Sequence, residues 1–547
     1  MLYEAKTGIS KRTETIILAM IIMASVCLAI YFGYRKAGMY IDEDYTYTIS
    51  NGTQLGIAIE NGNWNDTAPF MDQLISEGNE NFRFSQMYEN TANDVHPPLY
   101  YIPVHLISSI FSGVFSKWIG LSVNILILIP TLIFVYRLAF LLAGKNSLAA
   151  LVTTAFYGLS SATMSNAVYI RMYMMLSLWT VIYAYVHVKA LDDEAEGEAK
   201  LSFRRFLLPL LIVGFCGFLT QYFFVVIMFF ISFVYAFYLL VFCGRVKDTF
   251  IYGFTALMSL VSTAAVWRSS KFHIFDGYRG KGAVEQLFSF HEYAKRLMTY
   301  TGYMNRQIFG GLLPLYAVLF AIGNVLIVIT IIKLRKDGVK RAIASLPVYV
   351  KGMVLLEIAA ILDFTVLAQI GIFAPPESCR FLFQAYSIFL ILVPVGTIGI
   401  ARKLMSSNAK LSGASLFVSI SVLIVSTCIG FATDQVLFLY ESERSAMEWI
   451  DDHPDVPLVL FQNDDGNYDT CIPAYIKYPS IYVASVNEPD SIINDRISNT
   501  DELLVYVSTG VEDAQACIDS IIKENPNITK ADHVWNSYGW FDVYHMY

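Results

Sequence analysis

Apolar residues in this chain come in long unbroken runs rather than at the spacing of a half-buried helix or strand. Runs at about 15–34, 118–142, 147–165, 171–190, 205–220, 221–242, 249–267, 311–333, 349–371, 380–400 and 411–431 approach the roughly 20 residues needed to cross hydrocarbon. They predict about 11–12 membrane helices. A shorter run, 99–115, is interrupted by Pro103, His105 and several serines, and is predicted to be a partial or interfacial helix. Beyond Asp434 the pattern changes to an amphipathic stretch at 443–451, apolar runs at 456–461 and 503–507, a helical stretch at 512–523 and an aromatic finish. The predicted fold class is a polytopic α-helical membrane protein with a small C-terminal α/β domain. Its predicted segments are 1–36 (N-terminus and first span), 37–98 (outer loop), 99–431 (membrane domain with an outer loop at 268–310) and 432–547 (acidic tail domain).

Composition agrees: of 547 residues 55% are hydrophobic and 15% charged, with a mean hydropathy of +0.50. A soluble protein of this size is far less apolar. Charge is divided unevenly, with about 21 acidic against 5 basic residues from Asp434 onward, within a net charge of -8. Basic clusters at the N-terminus, Arg204-Arg205, Arg245 to Lys247, Lys333 to Arg341 and Arg402-Lys403 belong on the cytoplasmic side by the positive-inside rule. The expected protein is therefore a multi-pass cell-membrane protein with a cytoplasmic N-terminus and an extracytoplasmic C-terminal domain. The first apolar run is too long for a cleaved signal and is expected to be retained. The 7 cysteines show no zinc-like spacing, and only Cys471 and Cys517 are placed to pair.

Candidate chemistry gathers on the predicted outer face. The segment 37–96 holds ten acidic residues and one basic residue, Arg83, and opens with Asp42-Glu43-Asp44. Adjacent carboxylates repel, so one is expected to hold its proton more tightly and act as a base. A solvated acidic turn is the plainer reading of the same triplet. The loop ends in His96-Pro97-Pro98-Leu99-Tyr100-Tyr101, where two prolines fix the chain direction and make His96 a positioned group. Tyr169-Ile170-Arg171-Met172-Tyr173 places an arginine at a helix end. So does Glu377-Ser378-Cys379-Arg380-Phe381, and the loop after Trp267 adds Arg268, Lys271, His273, Asp276, Tyr278, Arg279 and Lys281. Each arginine alone fits an interfacial anchor. Together they suit a phosphate ester, whose oxygens arginine forks bind and whose departure they stabilise.

In their order, Asp42-Glu43 after the first span, the His96-Pro97-Pro98 run, Arg171-Met172-Tyr173 and Arg380-Phe381 resemble the GT-C glycosyltransferases. The likeness is to bacterial relatives of polyprenyl-phosphate-mannose:protein mannosyltransferases, glycosyltransferase family 39, over roughly residues 10–400. It implies an inverting hexosyltransferase that moves a sugar from a polyprenyl-phosphate donor to an acceptor hydroxyl on a protein, glycolipid or wall polymer. Asp42 and Glu43 are then the expected catalytic residues. Asp44, His96, Tyr101, Arg171, Tyr173, Tyr278, Arg279 and Arg380 are the expected substrate-binding residues. No cofactor is required, a divalent metal being left open, and no nucleic acid is implied. Two departures stand out: relatives commonly carry Thr-His-Tyr where this chain reads Thr220-Gln221-Tyr222, and a tyrosine where Phe381 follows Arg380.

The alternative is a transporter or flippase of a lipid-linked or envelope substrate, for which Glu357 and Asp363 inside an apolar run are the best support. Their spacing of six does not put them on one helix face.

Overall fold

Among the described residues nine helices are long and apolar enough to cross a bilayer: Lys11–Arg35, Lys117–Leu142, Tyr173–Ala195, Phe203–Thr220, Phe224–Phe242, Val246–Val266, Leu313–Leu334, Val348–Ile370 and Glu377–Lys403. The chain is a multi-pass membrane protein. The computed structural model describes residues 10–547 apart from 54–56, 58, 198–200, 336–337, 405–408, 463–470, 488–494 and 511–513. A further apolar helix, Ala409–Ala432, fills the last predicted run.

One predicted run comes out differently. Residues 147–165 form two short helices, Ser147–Gly158 and Ser161–Val168, because the Ser160 side chain accepts from Thr163 N–H and restarts the helix. The longer piece rises only ~18 Å, too little to cross alone. Residues 99–115 contain the 10-residue helix Tyr101–Ile110, in keeping with a partial helix. The near-continuous 205–242 stretch breaks where Gln221 turns extended (φ -158°, ψ 134°).

Contacts divide the chain into two units, one of Met1–Phe32, Asp94–Tyr100 and Leu121–Leu437, the other of Gly33–Asn93, Tyr101–Gly120 and Phe438–Tyr547. In the first unit the spans pack closely through small residues. A Cβ on Gly352 would lie 2.8 Å from Leu142 Cδ2 and 3.2 Å from Val188, so Val348–Ile370 lies directly against two neighbouring spans.

The second unit is built on a six-stranded sheet of β1 (Asn63–Asp66), β2 (Leu458–Gln462), β3 (Ser480–Ser485), β4 (Leu503–Ser508), β5 (Ala531–Ser537) and β6 (Phe541–Met546), in the order β1-β3-β2-β4-β6-β5. The central strands β3, β2 and β4 are parallel, and β1, β6 and β5 add antiparallel at the edges. Every residue of β2 and β4 is buried, as parallel strands covered on both faces require. Helix Ala514–Glu524 packs Cys517, Ile518 and Ile521 onto Val459, Val505 and Val507. The segments 37–98 and 432–547, set apart in the sequence, share this sheet through β1. Cys471 and Cys517 form no disulfide: both are buried, with Cys471 Sγ 3.4 Å from Ser537 Oγ and Cys517 in the sheet core.

Candidate functional site

The acidic triplet lies in the first turn of a helix, Ile41–Asn51, where the sequence predicts a loop. Carboxylates there face the unsatisfied amides and the positive end of the helix dipole, which offsets their repulsion. Glu43 is spent on structure. One of its oxygens accepts from Lys36 Nζ at 2.9 Å and from Tyr40 N–H at 2.9 Å, and Lys36 also donates to Phe438 O at 2.7 Å. Burial pushes the Lys36 ammonium below its ordinary range, while Glu43 and Asp44 pull it back. Asp44 is buried and Asp42, the second residue of the helix, is half-buried.

The far end of that helix is tied down as firmly. Asn51 donates to Leu74 O at 2.9 Å and Ser108 Oγ at 3.0 Å, and Asn90 donates to Gly52 O at 2.7 Å. Tyr101, expected to bind substrate, instead packs with Ile49 and Met87 in the core behind the helix. It is fully buried. The apolar face that Tyr101 shares with Val104 on its own helix explains the difference.

In the membrane unit His96 and Arg171 come together. His96 Nδ1 lies 2.7 Å from Asp94 Oδ2, and its Nε2 lies 3.3 Å from Arg171 Nη2. A guanidinium only donates, so Nε2 accepts and the proton sits on Nδ1, toward Asp94. Burial would raise the Asp94 carboxyl, but His96, Arg171 and the Val95 amide outweigh it and hold it below the ordinary range. The pair is fixed from behind by Asn124, which accepts from Tyr100 OH at 2.9 Å and donates to Tyr169 O at 2.6 Å. One asparagine thus links the proline run to the arginine segment.

Tyr222, at the break between two spans, joins this group. Its hydroxyl accepts from Trp267 Nε1 at 2.9 Å and meets His273 Nδ1 at 2.9 Å. Burial pushes its phenol up, the Trp267 bond opposes, and nearby Asp94 adds to the rise. Phe381 reaches both neighbourhoods, edge-on to Tyr173 at 6.2 Å and to Phe223 at 5.4 Å. Tyr173 also stacks on Tyr169 at 5.9 Å. Arg380 is buried with its guanidinium over the Phe381 ring at 4.7 Å.

Tyr278 and Arg279 are placed otherwise. They stack on each other, 5.0 Å from guanidinium to ring, at the start of a helix, Tyr278–Phe288, with no buried residue. Two cations that the sequence reading did not single out lie on the next helix, Tyr293–Phe309. Arg296 is buried and donates to Gln286 Oε1 at 3.1 Å and to Gly371 O, while Arg306 donates to Gln435 Oε1 at 3.1 Å and covers the Tyr303 ring. Their signal was the amphipathic pattern of 293–309, hidden inside what read as a basic loop. Glu357 accepts from Asn324 at 2.9 Å and Asp363 from Gln384 at 2.7 Å. The two carboxyls thus serve separate helix contacts.

Two solved proteins align with the chain over nearly its whole length. One is ArnT from Cupriavidus metallidurans bound to undecaprenyl phosphate, at 12% identity and TM-score 0.49 over 96% of this chain and 97% of that one. Another is the archaeal oligosaccharyltransferase AglB from Archaeoglobus fulgidus in complex with an inhibitory peptide and a dolichol-phosphate, at 12% identity and TM-score 0.45 over 94% of this chain and 68% of that one. No family model and no curated protein matches the chain.

Proposed function

We propose that this protein is an inverting glycosyltransferase that moves a sugar from a polyprenyl-phosphate carrier to an acceptor hydroxyl at the outer face of the membrane. The observation that carries the reading is the Asp94–His96–Arg171 chain, in which a buried guanidinium is anchored by a carboxylate-bound imidazole beside a span end. Such a group suits a phosphate ester at a lipid-accessible surface. In the reaction the acceptor oxygen forms its bond to the sugar's anomeric carbon and loses its proton to Asp42. The bond from that carbon to the phosphate oxygen breaks, and its electron pair leaves with the polyprenyl phosphate. Arg171 stabilises the departing charge, with Arg380 a second cation and Tyr173 and Phe381 as aromatic walls. Fixed cations can serve a single leaving phosphate, so this reading requires no metal. The N-terminus is cytoplasmic and the sheet domain extracytoplasmic in this reading.

Binding of undecaprenyl phosphate to the detergent-solubilised full chain tests it. Arg171→Ala is expected to weaken binding about tenfold to a hundredfold, as loss of a charge-assisted contact does. Unchanged affinity would remove Arg171 from the phosphate site.

A further inference from the structure

Arg35, the last residue of the first span, and the five residues 36–40 that connect it to the acidic helix all meet the C-terminal segment. Arg35 makes two bonds to Glu441, both at 2.7 Å, and its carbonyl accepts from Arg444 at 2.9 Å. Lys36 donates to Phe438 O at 2.7 Å, and Ala37 N–H to Leu439 O at 2.8 Å. Gly38 has no room for a side chain: a Cβ there would lie 2.4 Å from the Tyr538 hydroxyl and 3.0 Å from both Glu443 and Tyr440. Met39 N–H donates to the Tyr538 hydroxyl at 3.0 Å, and the Tyr40 ring stacks on Tyr440 at 6.3 Å.

The gripping residues are themselves unusually fixed. Phe438, Tyr440 and Tyr538 all adopt left-handed backbone conformations (φ 66°, 48° and 51°) that side-chain-bearing residues rarely take. Conformations of this kind persist only where the surroundings over-determine them, and they gather at functional sites. Glu443, buried, holds Tyr538 in place by accepting its N–H at 3.0 Å and the Ser537 hydroxyl at 3.1 Å. A loop that merely linked two elements would need none of this.

We propose that the C-terminal domain is a splint for the catalytic carboxylate, with Tyr538 and Gly38 as positioning residues that set where the acidic helix begins and hence where Asp42 stands. The inference rests on the reading of Asp42 as the base. It gives a role to an otherwise unassigned domain: general-base catalysis tolerates little misplacement, and a base on a two-ended, tied helix keeps its place through turnover.

The test uses the full chain in lipid nanodiscs. Tyr538→Phe removes one hydroxyl and leaves the ring. It is expected to speed amide exchange at residues 37–44 about tenfold or more while β2 and β4 exchange as before. With polyprenyl-phosphate mannose, or whichever lipid-linked sugar the wild type turns over, kcat is expected to fall about tenfold or more at unchanged KM, and undecaprenyl phosphate affinity to stay the same. Gly38→Ala should show the same split, and Gly38→Ala combined with Tyr538→Phe should be no worse than Gly38→Ala alone, since the hydroxyl that the new methyl meets is gone. Unchanged exchange at 37–44 with unchanged kcat in Tyr538→Phe overturns the proposal. Faster exchange spread equally through the sheet also overturns it, by making Tyr538 a residue of domain stability alone. Should Asp42→Asn keep full activity while Tyr538→Phe still loosens 37–44, the fault lies in the assignment of the base.

Discussion

In the unit that carries the acidic helix, Lys36 and Glu43 are enclosed completely, both side chains at 0% exposure, and each also bonds the backbone. In the membrane unit, His96 and Asp94 keep 20% and 25% of their side-chain surface open, and the bonds reach the Arg171 guanidinium. Both arrangements join a carboxylate to a basic group. Only the second keeps open side-chain surface, on His96 and Asp94. The contrast sorts the charged residues of this protein: a pair enclosed on both sides with its bonds spent on neighbours marks a strut, and a relay whose imidazole and carboxylate keep open surface beside a buried arginine marks a place for chemistry. By that measure Glu43 is a strut beside Asp42, the proposed base.

The largest effect that could break this contrast is on folding. Lys36→Met leaves the Glu43 carboxylate buried without its ammonium, and removal of one partner of such a pair costs about 3–5 kcal/mol. Thermal unfolding of the purified full chain is expected to show that loss, and Lys36→Met with Glu43→Gln to recover part of it. Equal stability in wild type and Lys36→Met would mean that enclosure does not mark a strut. The smallest effect is expected at Arg279, stacked on Tyr278 along a helix without buried residues. Arg279→Ala should change stability by no more than about 0.5 kcal/mol and leave undecaprenyl phosphate affinity unchanged. A loss there comparable to that of Arg171→Ala would bring the exposed cations back into the site.

Much of the membrane body was legible in the sequence because an apolar run of span length has few other meanings, and the runs at 118–142, 311–333 and 349–371 became spans within a few residues of the expected bounds. The run at 147–165 misled because one side chain, Ser160, restarts a helix without altering hydropathy. Strand β1 was invisible for a different reason. Asn63-Trp64-Asn65-Asp66 has no alternating apolar pattern, and it joins β3 through backbone bonds to residues over 400 positions away. At the site, the sequence could name His96 and Arg171 but not join them, since their segments are tied together by Asn124, an unremarked polar residue in an apolar span. It named Tyr101 from its motif, and the helix face turned that ring into the core.

Sugar transfer from a polyprenyl-phosphate donor before and after Asp42→Asn tests whether Asp42 is the base. The substitution keeps the side chain's size and removes its basicity, so the purified variant is expected to insert and bind undecaprenyl phosphate normally while transfer falls by about a hundredfold or more, the contribution of a positioned base. Transfer at the wild-type rate in Asp42→Asn would remove Asp42 as the base.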